Sequence, residues 1–238
     1  MCSLEKRDGV FILTLSGEGE HRLNPASIDS ILSALAHVNE NAHLVSALIT
    51  TNDGKFFSNG LDLQWVSEFS SSRESRSQIL GLKYAQLLVA VMELKLPSIA
   101  AVCGHASAGG FIFALAHDYR FMRRDRGFLY MSEVDVGISI PPSIMSIIRS
   151  KVGSRHLTEV LLGGRKYTAP MAFKAGIVDS VHENSGETLQ AAMDASVKMG
   201  KRNWNKEAYL QLRFSLFPEV TEKLGLRLKG RSPLLSSL

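Results

Sequence analysis

The sequence predicts an α/β protein with a helical C-terminal region, and three observations carry that prediction. Short apolar runs closed by Gly, Pro, Asn or Asp alternate with stretches of helical spacing through the first three quarters of the chain. From about Ser185 the pattern becomes helical throughout. At 238 residues and 45% hydrophobic content the chain is also long and apolar enough to bury a substantial core. We therefore expect an α/β core over 1–184 and a helical region over 185–238.

The elements follow in order. GVFILTL (9–15) reads as a strand. Asn24 as N-cap and Pro25 at the first helical position open a helix whose Ile28, Ile31, Leu32, Leu35 and Val38 share one face. LVSALIT (44–50) is a second strand, closed by Asn52, Asp53 and Gly54. The compact turn FFSNGLDL (56–63) comes next, then the amphipathic piece LDLQWVSEF, a polar loop SSSRESRS and a long helix from Gln78 to Leu94. Pro97 starts the apolar run PSIAAVCG, which runs into the small-residue turn CGHASAGG (103–110) and the helix GGFIFALAHD. YRFM and FLYM form a strand pair around the basic turn RRDRG. Helices near 141–151, 154–162 and 168–175 follow, Gly176 ends the last of them, and IVDSV is a further strand.

Composition excludes several classes. Cys2 and Cys103 are isolated, so no disulfide framework or CxxC metal pair can form, and Cys103 reads as a packing residue. The seven histidines are scattered without an HExxH spacing, so no metal site is expected. The charged start MCSLEKRDG and apolar runs no longer than LLVAVMEL predict neither a signal peptide nor a membrane span, which needs about 18 residues. The net charge of +4 is concentrated in residues 201–238, where eight Lys/Arg face Glu207, Glu219 and Glu222. A solvated helical face is the ordinary reading of that segment, a small phosphorylated ligand the other. Nucleic-acid binding would call for interleaved aromatics and a broader basic field.

The chemistry rests on two turns and one carboxylate. FFSNGLDL and CGHASAGG are each a strand end, a tight turn without bulk, and a helix start, where unpaired backbone N–H groups point outward. Two such turns facing each other can cradle one oxygen, although either alone is also what a simple chain reversal looks like. Asp62 reads as a first-turn helix carboxylate and Asp118 as structural. Glu133, between FLYM and VDVGI, has apolar neighbours able to raise its pKa toward that of a useful base. Asp135 is a rival base, which strand-like spacing would put on the same face. A serine or cysteine hydrolase built on Cys103, His105 and Ser107 fails, because His105 stands where a GxSxG elbow requires glycine.

Four segments in order, HRLNPASID, FFSNGLDL, CGHASAGGFIFALAHD and MSEVDVGI, resemble the signatures of the crotonase (enoyl-CoA hydratase/isomerase) superfamily over most of the chain. Within it the chain looks most like the plant peroxisomal Δ3,Δ2-enoyl-CoA isomerases. The resemblance implies a crotonase-like spiral of repeated ββα units. It also implies an acyl-CoA thioester substrate whose carbonyl sits between the backbone N–H groups of Leu61 and Gly109, with Glu133 as catalytic base. Asn59, Gly60, Leu61, Asp62, Leu63, Gly109 and Ser132 are the substrate-binding positions so implied. The second glutamate that family hydratases use falls on Ile112, and the nearest acid in that helix is Asp118, almost two turns on. The resemblance therefore implies a single-base isomerase, with a hydratase or a noncatalytic acyl-CoA binder as alternatives. No metal or redox cofactor is expected, coenzyme A being part of the substrate. A homotrimer or hexamer packed through the terminal helices is expected too, with basic residues there on the CoA phosphates. The final Ser-Ser-Leu, one residue from the peroxisomal S-K-L address, points to the peroxisome and otherwise to the cytoplasm.

Overall fold

Residues 2–17, 19–68, 73–202 and 204–226 are described by a computed structural model. The chain opens on a hairpin that the charged N-terminus concealed: β1 (Cys2–Arg7) pairs antiparallel with β2 (Val10–Leu15). Asp8 and Gly9, with φ of 48° and 73°, make the left-handed two-residue turn that an Asp-Gly pair favours. α1 (Pro25–Glu40) begins where expected. Asn24 Oδ1 accepts from Ser27 N–H at 3.0 Å, and Ser27 Oγ accepts from Asn24 N–H at 2.9 Å, a reciprocal cap. A 3₁₀ turn at Ala42–Leu44 delays the next strand, β3, to Leu48–Asn52.

β4 (Phe56–Ser58) and α2 (Leu63–Ser67) follow, and α3 (Arg73–Met92) starts five residues before the expected Gln78. Its polar first turns are helical because Arg76 is anchored on α2. The guanidinium lies 3.9 Å from the Trp65 ring centroid and donates to Trp65 O at 2.8 Å and to Glu68 at 3.0 Å. β5 (Ser98–Val102), β6 (His105–Ser107) and α4 (Gly109–Leu115) come next, so a short strand occupies the middle of the small-residue turn. After them run β7 (Tyr119–Arg123), β8 (Leu129–Tyr130), α5 (Glu133–Val136), α6 (Pro142–Lys151), α7 (Ser154–Leu161), α8 (Ala169–Lys174) and β9 (Ser180–His182). Three helices close the described chain: α9 (Ser185–Gly200), α10 (Lys206–Leu216) and α11 (Pro218–Lys223).

The strands form two sheets. The larger has the order β1-β2-β3-β5-β7-β9, parallel except for β1; the smaller is the parallel set β4-β6-β8. The chain thus places one strand in each sheet and then a helix, three times over: β3-β4-α2, β5-β6-α4 and β7-β8-α5. YRFM and FLYM are consequently not partners. β7 pairs with β5 and β8 with β6, because the RRDRG segment carries the chain from one sheet to the other.

Strand alternation divides the core. Val10, Ile12, Ile49, Ile99 and Ala101 face Ala192 and Met193 of α9, which makes α9 a layer of the core. Phe11, Leu13, Leu48, Ala100 and Val102 face the larger cluster formed with α1, α3 and α4. Each such buried aliphatic or aromatic side chain stabilises by roughly 1.5–3 kcal/mol. α10 is fixed by Arg213, which is buried, pairs with Asp118 at 2.7 Å and donates to the carbonyls of Met92, Leu94 and Leu96. Arg213 is therefore a structural residue and not part of a solvated basic face; Arg227, Lys229 and Arg231 lie outside the described residues.

Candidate active site at the end of the three-stranded sheet

The C-terminal ends of β4, β6 and β8 point the same way and deliver three segments side by side: Asn59 to Asp62, Ala108 to Gly110, and Ser132 to Glu133. After β4 the turn is held from several sides. Ser58 Oγ donates to His21 O at 2.8 Å, Leu23 N–H to Gly60 O at 2.8 Å, and Asp62 N–H to Leu23 O at 2.9 Å. Asn59 uses its side chain within the fold, donating to Glu20 at 2.7 Å and accepting from the Ser107 hydroxyl. Asp62 is the N-cap residue of α2, one position before the first turn in which the sequence puts it; it accepts from Trp65 N–H at 3.0 Å and from Asn24 at 3.3 Å. Leu63 begins α2 and is partly exposed.

The two glycine turns touch. Gly60 has a φ of 78°, and a Cβ built on it would lie 2.9 Å from Gly109 N and 3.0 Å from Ser107 O. Glycine is required there twice over, by the left-handed backbone and by the approach. Gly110 is tighter still, since its Cβ would meet Ser58 O at 2.1 Å. Ala108, at φ 49° and ψ −126°, holds a conformation rare for any residue but glycine, the kind of local strain that costs of order 1–3 kcal/mol and clusters at functional sites. It turns the chain so that Gly109 begins α4 directly beside Gly60. No hydrogen bond among the described residues engages the N–H of Leu61 or of Gly109. α2 has five residues and α4 seven, so what the two turns present is individual N–H groups more than a helix dipole.

Glu133 opens α5, a single turn closed by Gly137 at φ 68°. Its Oε2 is buried and has no hydrogen-bond partner among the described residues. Burial raises its pKa above the ordinary carboxylate value, against a smaller opposing effect of the Glu133 and Ser132 backbone N–H groups. Ser132 is the N-cap residue of α5 and makes no side-chain cap bond. Asp135 is exposed, and because α5 is helical its side chain leaves on a different face from Glu133, contrary to the strand-like spacing. Ile112, on α4, is buried in the main core.

One residue of the site was not anticipated. Tyr84, from α3, is fully buried and donates its hydroxyl proton to Gly109 O at 2.6 Å. Burial first, then the charge of Glu133, push its phenol well above the ordinary range, which makes Glu133 its electrostatic neighbour. In sequence Tyr84 falls on the apolar stripe of Leu80, Leu87, Leu88 and Val91 and reads only as core. No group of three or more His, Cys, Asp or Glu suited to a metal occurs among the described residues.

Repeated ββα units, with two abutting glycine turns and a buried carboxyl at the end of the smaller sheet, define a crotonase-type protein. The chain belongs to the enoyl-CoA hydratase/isomerase family, whose model matches residues 5–231. It is similar to enoyl-CoA delta isomerase 1, peroxisomal, of Arabidopsis thaliana, with 46% identity over 92% of this chain and 91% of that one. With enoyl-CoA delta isomerase 3 of the same plant it shares 43% identity over 95% and 96% of the two chains. Among solved structures, an enoyl-CoA isomerase of Mycobacterium tuberculosis in its apo form superposes with a TM-score of 0.82, covering 94% of this chain and 96% of that one at 18% identity. That last likeness speaks to the fold.

Proposed function

We propose that the protein converts 3-enoyl-CoA thioesters, cis or trans, to trans-2-enoyl-CoA in the β-oxidation of unsaturated fatty acids. The observation that carries this reading is a buried, unpartnered Oε2 on Glu133 together with an apolar Ile112, in a chain whose relatives are named enoyl-CoA delta isomerases. Glu133, as carboxylate, takes a proton from C2, and the C–H electrons delocalise through C1 onto the thioester oxygen and across C3=C4. The N–H groups of Leu61 and Gly109 form the oxyanion hole for that dienolate, each such donor contributing about 2.7–4 kcal/mol of barrier lowering. Glu133, now a carboxylic acid, returns the proton to C4, leaving the double bond between C2 and C3. Hydration would need a second carboxylate to hold and activate water, and Ile112 occupies that place.

The reading requires no metal or redox cofactor, since coenzyme A arrives with the substrate. Gly60, Leu61 and Gly109 act through the backbone, Ser132 lines the pocket, and Leu63 at the start of α2 borders it. Asn59 and Asp62 hold the binding turn in shape. We read residues 185–238 as packing between subunits of a homotrimer or hexamer. A surface depression lined by Tyr119, Tyr209, Leu212, Leu216 and Phe217, with Leu212 and Leu216 each 70% exposed, supports this. Among the described residues no helix is long and apolar enough to cross a membrane. Two of the Arabidopsis relatives are named peroxisomal, which supports a peroxisomal address; the Ser-Ser-Leu end lies outside the described residues.

Purified protein incubated with 3-hexenoyl-CoA should produce the absorbance of a conjugated enoyl thioester, and with crotonyl-CoA it should leave that absorbance in place. Loss of crotonyl-CoA absorbance without conversion of 3-hexenoyl-CoA would establish a hydratase instead.

A further inference from the structure

Gly109 is buried but has little of its own to fix its orientation. It follows a strained Ala108, has no side chain, and starts a helix that lacks a side-chain cap. Its neighbours are Leu61 on one side and Tyr84 on the other: a Cβ at Gly109 would sit 3.4 Å from Leu61 Cγ and 3.4 Å from both Cζ and the hydroxyl of Tyr84. Tyr84 itself is fixed, fully buried on α3 and hydrogen-bonded to Gly109 O at 2.6 Å. We infer that Tyr84 is a positioning residue of the isomerase, its hydroxyl tethering the Gly109 carbonyl so that the Gly109 N–H stays aligned with that of Leu61.

The same bond has a second effect. A phenol carries one proton, and here it is committed to Gly109 O and so is not offered to Glu133. Glu133 Oε2 has no hydrogen-bond partner among the described residues and is available to a substrate proton. Tyr84 is buried too deeply to serve as the acid or base itself, and burial together with the Glu133 charge keeps its phenol protonated. The inference rests on the isomerase reading above, and it predicts damage to the enolate-forming step without damage to thioester binding.

The test is Tyr84→Phe, which keeps the ring in the core and removes the tether. With 3-hexenoyl-CoA, kcat should fall about tenfold, the upper range for one hydrogen bond. KM, and the affinity for saturated hexanoyl-CoA, should change less than about twofold, as expected when an interaction made chiefly in the transition state is lost. Bound acetoacetyl-CoA provides a readout independent of turnover, because the near-ultraviolet band of its enolate reports the oxyanion hole directly. That band should weaken in the variant. Unchanged kcat and unchanged enolate band overturn the inference. So does an equal loss of kcat and hexanoyl-CoA affinity, or failure of the variant to fold, since each assigns Tyr84 a purely structural role. If wild type shows no isomerisation yet displays the enolate band, the reaction reading fails and the tether is judged on the band. If wild type shows neither, both fall.

Discussion

Asp118 and Glu133 are carboxylates drawn back from bulk water by the same fold, and their surroundings could hardly differ more. Asp118 accepts from Ser98 N–H and Oγ, from the Tyr209 hydroxyl, and from Arg213 through Nε and Nη2, at 2.7 to 3.2 Å. Burial alone would raise its pKa, but the Arg213 charge and hydrogen bonds, with Lys151 and Ser98, more than offset that and hold it below the ordinary value. Glu133 has no counter-ion among the described residues, burial dominates, and its pKa rises. A fully engaged carboxylate fastens α10 to the core, whereas one with a buried oxygen left without a partner keeps the proton affinity a base needs. The contrast separates holding the fold from doing chemistry by counter-charge and hydrogen bonding together.

Three substitutions or titrations sharpen it. The largest effect is expected from Glu133→Gln, which should lower isomerase turnover by about 10²–10⁴-fold, the range for general acid–base catalysis, while hexanoyl-CoA binding persists. Steady-state kinetics and calorimetry separate the two quantities. Next, Asp118→Ala should leave the activity of the folded fraction near wild type and cost about 3–5 kcal/mol of stability in urea unfolding, because Arg213 is left buried and unpaired.

The smallest effect is one of sign. The Glu133 pKa is raised on folding, so its contribution to stability is full below the unfolded-state value and is lost as pH rises through the folded-state value. Glu133→Gln should therefore melt higher than wild type at neutral pH, by about 1 kcal/mol, and the gap should close on acidification. Activity runs the other way, kcat/KM falling as pH drops through that same raised pKa. For Asp118 the folded pKa is depressed, so its contribution is present above the unfolded-state value and disappears as pH falls through the folded one. Melting curves of wild type and the two variants against pH would show opposite slopes.

Much of this was legible in the residues. Asn24 and Pro25 mark a helix start by local chemistry, and the glycine turns announce close backbone approach, which Gly60 and Gly110 confirm at 2.9 Å and 2.1 Å. Where the sequence misled, short elements were the cause. α5 is one turn, too short for helical period to register, so Asp135 looked like a strand neighbour of Glu133. β8 has two residues, and its membership of the smaller sheet depends on β6, far away in sequence. β1 is an edge strand carrying Glu5, Lys6 and Arg7, charges that suit an edge and hide the strand. Tyr84 escaped notice for another reason: periodicity reports which way a side chain faces but not what its hydroxyl reaches.

The contact of Gly110 with Ser58 O, like that of Gly60 with Gly109 N, is made entirely by backbone. A frame of that kind excludes any side chain at Gly60 or Gly110, whatever stands at the positions around them. Substitution at Ile112 or Glu133 would therefore alter the chemistry of the site without touching the backbone contacts that set the two turns side by side. The glycines fix where the two turns meet, and the side chains beside them decide what reaction can follow.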